Sequence, residues 1–381
     1  MAKSASVGLS AMNDLGKPVD WFFLYKIPSK GTASDGSKPT GTAYVYFDAT
    51  GKKLSLSADQ ISDPKKGAVS DTLNQIYNNL NNPDFAWFFY NDENPITGVT
   101  DGVRGHTKGV LCCDFGTDSA FWLVDSAPKF PPHGAYGYPH TATDYAQTFL
   151  CITLKDCATA EAIADQMFVA QQPNVYDKSA VPAAIKGKNT SLESLLNNKV
   201  TTSTKAYANY ITFKSKAGMA FSCFAKNKFW NTANDDDFYN DLVGPQLAEN
   251  LDVETWEHGQ EPGPEDSDKI HTVVAMKEVD LAPLGIKPSY KWGEADDHAK
   301  LAITAKSEPG KKYICVGDIN FTKSMEKRSG GTVAFICDPL WQEISSILSA
   351  VNVRASSKIK NSKKVGTSLS KAATAKGIKE G

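Results

Sequence analysis

Apolar positions along this chain fall mostly in short dense runs, which is strand patterning rather than long helical stripes. PVDWFFLYKIP (residues 18–28) reads as a buried strand bounded by prolines, and GTAYVYFD (41–48) alternates like a second one. FAWFFYND (85–92) is a third. KGVLCCDF and SAFWLVDSAP, which follow His106, have the form of a hairpin across a Gly/Asp turn. Residues 70–82 have helical spacing, with Ser70 or Asp71 as the expected N-cap. Helices are also predicted over Asp144–Cys151 and Thr159–Val169. Residues 182–206 are rich in Lys, Asn and Ser and read as a connector. Strands then recur in ANYITFKS, GMAFSCFAK, HTVVAMKEVD and KKYICVGDIN. DDDFYNDLVGPQLAENL reads as an acidic surface helix, HGQEPGPEDSDKIH (258–271) as a loop, and PLWQEISSILSAV as a closing helix. This mixed order predicts an α/β fold of mixed β-sheets flanked by helices.

Composition adds limits. At 381 residues, with 41% hydrophobic and 22% charged residues, the chain is globular and long enough for two ordinary domains. No run of about 18 apolar residues is present, so no membrane helix is expected. The first residues lack the continuous apolar core of a secretory signal, and the compartment stays open. Net charge is −2, unevenly spread: the stretch from Arg354 to Gly381 carries +7 and reads as a mobile tail, which leaves −9 on the body. A polyanion site must therefore be a local concentration of positive charge, or must work where carboxylates and histidines are partly protonated. Seven cysteines in no paired CxxC pattern argue against zinc and read as buried small hydrophobes.

The strongest signal is a repeat. His106 opens HTKGVL, and the aromatic-led FWLVDS begins fifteen residues later at Phe121. His298 opens HAKLAI, and YICVGD begins fifteen residues later at Tyr313. The copies are offset by 192 residues, about half the chain, as expected for one supersecondary unit used twice. In a strand, residues i and i+2 share a face, so His106 is expected beside Lys108 and His298 beside Lys300. Such a set contains what metal-free phosphodiester cleavage needs. One imidazole can attack phosphorus, the other can protonate the leaving oxygen, and two ammonium groups can hold the non-bridging oxygens.

With their flanks these motifs resemble deoxyribonuclease II. The matching segments are GKPVDWFFLYKIP, YND (90–92), RGHTKGVL, FWLVDSAPKFPP, YPHTATDYAQTFLC, FAKNKFW, DDHAK, and CVGDIN followed by SGGT. They span residues 16 to about 347 in the family's order. The resemblance implies two pseudo-symmetric halves similar to those of the phospholipase D superfamily, sharing one active site. The halves would be residues 1–185 and 207–353, joined by 186–206 and followed by the tail 354–381. It implies an acid-active, metal-independent endonuclease that leaves 3′-phosphate ends with little sequence preference. Its partner would be DNA, single- or double-stranded, with no cofactor, no metal and no membrane, and a monomer would suffice. His106, Lys108, His298 and Lys300 are then the catalytic set. His140 matches a functionally sensitive family histidine, and Asp318, Asn320, Ser126 and Arg104 are supporting candidates. Asp297 is expected to be structural. Two departures stand out: the first residues do not read as the secretory signal of animal members, and Ala334 occupies the place of a family cysteine that pairs with the equivalent of Cys315.

Three other readings compete. A phospholipase D-like lipid phosphodiesterase would share the chemistry but should carry an amphipathic interfacial helix, and none is evident. A non-catalytic polyanion binder would need the lysines but not both histidines. A metallo-nuclease would need clustered Asp/Glu/His ligands at metal spacing.

Overall fold

The computed structural model describes residues 8–231, 236–257, 270–306 and 309–350. The tail and most of the loop at 258–271 lie outside them. Fifteen strands make two large sheets. In chain order they are β1 (Trp21–Lys26), β2 (Tyr44–Asp48), β3 (Ser55–Leu56), β4 (Phe85–Asn91), β5 (Lys108–Asp114), β6 (Ser119–Asp125), β7 (Gln147–Leu154) and β8 (Val175–Lys178). Then come β9 (Ala208–Lys214), β10 (Ala220–Lys226), β11 (Leu251–Thr255), β12 (Val273–Ala275), β13 (Lys300–Thr304), β14 (Tyr313–Gly317) and β15 (Gly330–Ile336). The first sheet has the order β8-β4-β5-β6-β7-β1-β2-β3 and the second β9-β10-β15-β14-β13-β11-β12. Every pairing is antiparallel except β11 with β12. The run β4-β5-β6-β7 and the run β11-β13-β14-β15 match in chain order, spatial order and sense. In each, the second strand opens on the lysine of a His-x-Lys motif.

Alternation along the strands explains the layering. Phe23, Tyr25, Leu111, Cys113, Leu150 and Ile152 of the first sheet share one core with Phe221, Cys223, Leu301, Ile303, Val316 and Val333 of the second. The intervening residues point outward into two further cores. Phe22, Leu24, Val110, Cys112, Phe149 and Cys151 meet Val69, Leu73 and Ile76 of helix α1 (Ala68–Tyr77). Phe224, Val253, Ala302, Cys315 and Ala334 meet Tyr239, Leu242 and Val243. Helices α2 (Cys157–Gln166), α3 (Ser191–Leu196) and α4 (Asp338–Ile347) pack against the shared core. Each large apolar side chain buried this way stabilises the fold by about 1.5–3 kcal/mol. Among the described residues, no helix is long and apolar enough to cross a membrane.

Four local expectations are corrected. Residues 144–151 do not form a helix; Gln147–Leu154 is a central strand, buried on both faces, where apolar residues need not alternate. The segment at 238–247 is not an acidic surface helix, because Phe238, Tyr239, Leu242, Val243 and Leu247 are buried while Asp237 caps the turn from Tyr239 and Asn240. Helix α1 is preceded by Gly67 at φ 101, not capped by Ser70 or Asp71. The connector contains α3, capped by Thr190 and anchored by buried Leu192, Leu195 and Leu196.

Candidate active site

The two His-x-Lys motifs meet at the ends of the two sheets, each built with help from the other half of the chain. His106 and His298 sit just before β5 and β13, so the strands begin at the lysines rather than at the histidines. The His106 amide donates to the Ser329 carbonyl at 2.8 Å. Its Nδ1 lies 2.5 Å from the Asp318 carbonyl oxygen. A carbonyl can only accept, so Nδ1 carries the proton and Nε2 keeps its lone pair in the neutral ring. The His298 amide donates to the Ala146 carbonyl at 2.9 Å. Its ring stacks on Tyr145 at 4.0 Å and packs against Trp256 at 4.1 Å. His298 Nε2 is buried with no hydrogen-bond partner among the described residues. Such an orphaned polar atom is costly unless a ligand satisfies it.

The charges are arranged unequally. Lys108 Nζ binds Asp92 Oδ1 at 2.5 Å, and Arg328 Nη2 binds Asp92 Oδ2 at 3.0 Å. His106 Nε2 lies 3.9 Å from the same carboxylate. Burial alone would raise the Asp92 carboxyl, but Lys108, His106 and Arg328 together hold it far below the usual carboxylate range. Among the described residues no carboxylate pairs directly with Lys300, whose Nζ bonds the carbonyl of His298 at 2.5 Å. Burial, then Lys108, pushes Lys300 down to about 7. Burial and the nearby lysines also push His106 down to about 3 and His298 to about 2. Lys108 and His106 act directly on His298, and Lys300 on His106, so the four groups form one electrostatic unit.

Glycine makes the approach possible. At Gly109 (φ 151) a Cβ would lie 2.2 Å from the Leu123 carbonyl, so only glycine lets β5 bring Lys108 beside Asp92. At Gly330, in SGGT, a Cβ would meet Asp318 Oδ1 at 2.5 Å.

The other sequence candidates spread around this centre. Asp318 Oδ1 accepts from the Gly331 amide at 2.7 Å, and burial pushes its carboxyl up to about 7. Asn320 is buried, and its Oδ1 has no partner among the described residues. Ser126 Oγ accepts from the Thr148 amide at 3.0 Å and lies 2.7 Å from the Gln147 amide group. Arg104 lines a cleft with Lys228 and Thr201, and its carbonyl accepts from Arg328 at 3.3 Å. His140 is exposed, at the start of a one-turn helix five residues before Tyr145. Asp297 is fully buried and accepts from the Tyr25 hydroxyl, Trp292 Nε1 and the Ala299 amide. Asp92, Arg328, Tyr145 and Trp256 are site residues that the sequence reading did not single out. Of these, Asp92 and Tyr145 stood inside the quoted YND and YPHTATDYAQ segments.

All seven cysteines are free thiols, six buried and Cys337 half-buried.

In this mixed α/β body a His-Lys pair stands at the start of an interior strand of each sheet, and the family match puts the protein in one class: a hydrolase acting as a nuclease. The chain belongs to the deoxyribonuclease II family, whose model matches residues 10–353. It is similar to the putative deoxyribonuclease-2 of Burkholderia pseudomallei (strain K96243), 37% identical over 339 residues that cover 88% of this chain and 91% of the relative. Plancitoxin-1 of Acanthaster planci is 34% identical, with 86% and 87% of the two chains covered. Deoxyribonuclease-2-alpha of Rattus norvegicus is 32% identical, with 90% and 93% covered.

Proposed function

We propose that this nuclease cuts DNA without a divalent metal, through a phosphohistidine on His106, and leaves 3′-phosphate ends. The observation that carries this reading is the meeting of both His-x-Lys motifs around His298 Nε2, which is buried without a hydrogen-bond partner among the described residues. His106 Nε2 attacks phosphorus with its lone pair while Nδ1–H stays on the Asp318 carbonyl. The P–O5′ bond breaks, and His298 gives its proton to the departing O5′. Lys108 and Lys300 hold the non-bridging oxygens. Water then attacks phosphorus, His298 takes the water's proton, the N–P bond breaks, and the 3′-phosphate leaves.

The unequal surroundings support these roles. His106 faces a carboxylate, whereas His298 lies between two aromatic rings whose faces favour a cationic guest. In the free protein both imidazoles are held neutral, so His298 must gain its proton together with substrate. A bound phosphodiester brings negative charge between the lysines and reverses the field that suppresses that proton. NMR should therefore show both rings untitrated down to about pH 4 in the free protein and titrating higher in excess inorganic phosphate. Titration of both near their ordinary value of about 6.5 without phosphate would contradict this.

Acid preference follows from Lys300. Its folded pKa is lowered, so the ammonium is complete below about pH 7 and is lost above it. KM for DNA should rise as pH passes from 6 to 8, and Lys300→Arg, whose charge persists, should flatten that rise. An equally steep rise in the arginine variant would refute the assignment. Contacts through phosphates make binding salt-sensitive and weak in sequence preference. The matching four-strand runs support two halves, 1–185 and 207–353, of the phospholipase D kind, joined through 186–206. Both motifs lie in one chain, so a monomer can form the whole site. Plasmid cleavage at pH 5 in excess EDTA tests the reading: cleavage is expected, and its absence, with restoration by a divalent cation, would overturn metal independence.

A further inference from the structure

A second pair of basic residues is repeated in the two sheets. Lys26 ends β1, opposite Gln147 at the start of β7. Lys226 ends β10, opposite Gly330 at the start of β15. Both lysines are fully buried, which is rare for this residue unless its three donors are satisfied. They are. Lys26 Nζ donates to the carbonyls of Gly41, Ala142 and Thr143 at 3.1, 3.0 and 3.0 Å. Lys226 Nζ donates to the carbonyls of Met325, Glu326 and Arg328 at 2.9, 2.9 and 2.8 Å, and to Asn231 Oδ1 at 2.7 Å.

Apart from that of Gly41, the clamped carbonyls stand beside or just upstream of the groups that hold the histidines. Two residues beyond Thr143, Tyr145 stacks on His298, and the next residue, Ala146, accepts the His298 amide. Arg328 reaches Asp92, and Ser329 accepts the His106 amide. We propose that Lys26 and Lys226 are paired positioning residues, each fixing the loop by which one half of the chain holds the other half's catalytic histidine. The inference rests on the two-histidine reading of the site.

The ammonium form is what clamps, because a neutral amine loses one donor and most of its strength. Burial pushes both lysines down to about 7. Asp297 and Asp144 oppose that shift at Lys26, which also lies 5.8 Å from the Tyr138 ring. Asp237, Glu326 and Asp318 oppose it at Lys226. The clamps are therefore complete at acidic pH and open as pH rises past neutrality.

Lys26→Met and Lys226→Met keep the stem and remove the donors. Each should lower kcat by about ten- to a hundredfold, the scale of a misplaced catalytic group, with KM within about twofold. A folded variant of either kind with wild-type kcat overturns the proposal. If His106→Ala and His298→Ala are inactive in the same assay, that result leaves the two-histidine reading standing. Activity in the histidine variants would instead sink the reading itself. Should the methionine variants not fold, hydrogen exchange on the wild-type protein decides. After correction for intrinsic rates, segments 140–146 and 323–329 should lose protection between pH 6 and 8 while β5 and β13 keep theirs. Unchanged protection in both loops overturns the clamp.

Discussion

Replacing either imidazole, by His106→Ala or His298→Ala, is expected to lower DNA cleavage by roughly 10⁴-fold or more, since a nucleophile or its proton partner is lost outright. The fold should survive both changes. His106 gives up one side-chain hydrogen bond, to the Asp318 carbonyl, which is worth about 1 kcal/mol net. His298 leaves a gap between Tyr145 and Trp256, but its Nε2 has no partner to lose among the described residues. A stability signature separates this outcome from simple misfolding. Both histidines have lowered folded pKa values, so as pH falls below about 6.5 the unfolded chain takes up protons first. The wild-type fold thus loses stability from there downward, and each alanine variant should lose less. Thermal melts at pH 7 and pH 4 read the difference. An acid-side loss as large in the variants as in wild type would show that the rings are not held neutral.

Asp92→Ala should have the largest effect on stability. Asp92 is 2% exposed and compensates two cations, Lys108 and Arg328. Removing it leaves the buried Lys108 ammonium and the half-buried Arg328 guanidinium without that carboxylate, at a cost of about 3–5 kcal/mol. Because its folded pKa is depressed, the carboxylate stabilises the fold at every pH above the ordinary carboxylate value. The deficit should therefore persist from pH 5 to pH 8, unlike that of the histidine variants. A melting temperature within a degree or two of wild type would mean that the pair contributes little and that Asp92 is not the centre of the charge network.

The catalytic candidates were legible because their signal is local: two His-x-Lys triplets, each fifteen residues ahead of an aromatic-led strand. What they require from elsewhere was not. Asp92 and Arg328 are 236 residues apart in sequence and meet only through the packing of two sheets. The buried lysines end runs that look like ordinary strands, WFFLYK and AFSCFAK, and nothing local says that their ammonium groups turn inward onto carbonyls. Strand β7 was misread for a related reason. QTFLCITL is covered on both faces, so its apolar residues carry no period, and the preceding Asp144 imitates a helix cap. The buried turn at 238–247 shows the converse error: four nearby acids suggested solvent, while the apolar stripe between them faced the core.

The proposed mechanism requires a covalent intermediate at one named atom, His106 Nε2. DNA labelled at the phosphates would be mixed with the wild-type protein at pH 5, quenched within the first turnover in alkaline denaturant, where a phosphohistidine persists, and the protein digested and mapped. A DNA fragment joined through its 3′-phosphate to the His106 peptide is the predicted result. Label on the His298 peptide in place of the His106 peptide would contradict it.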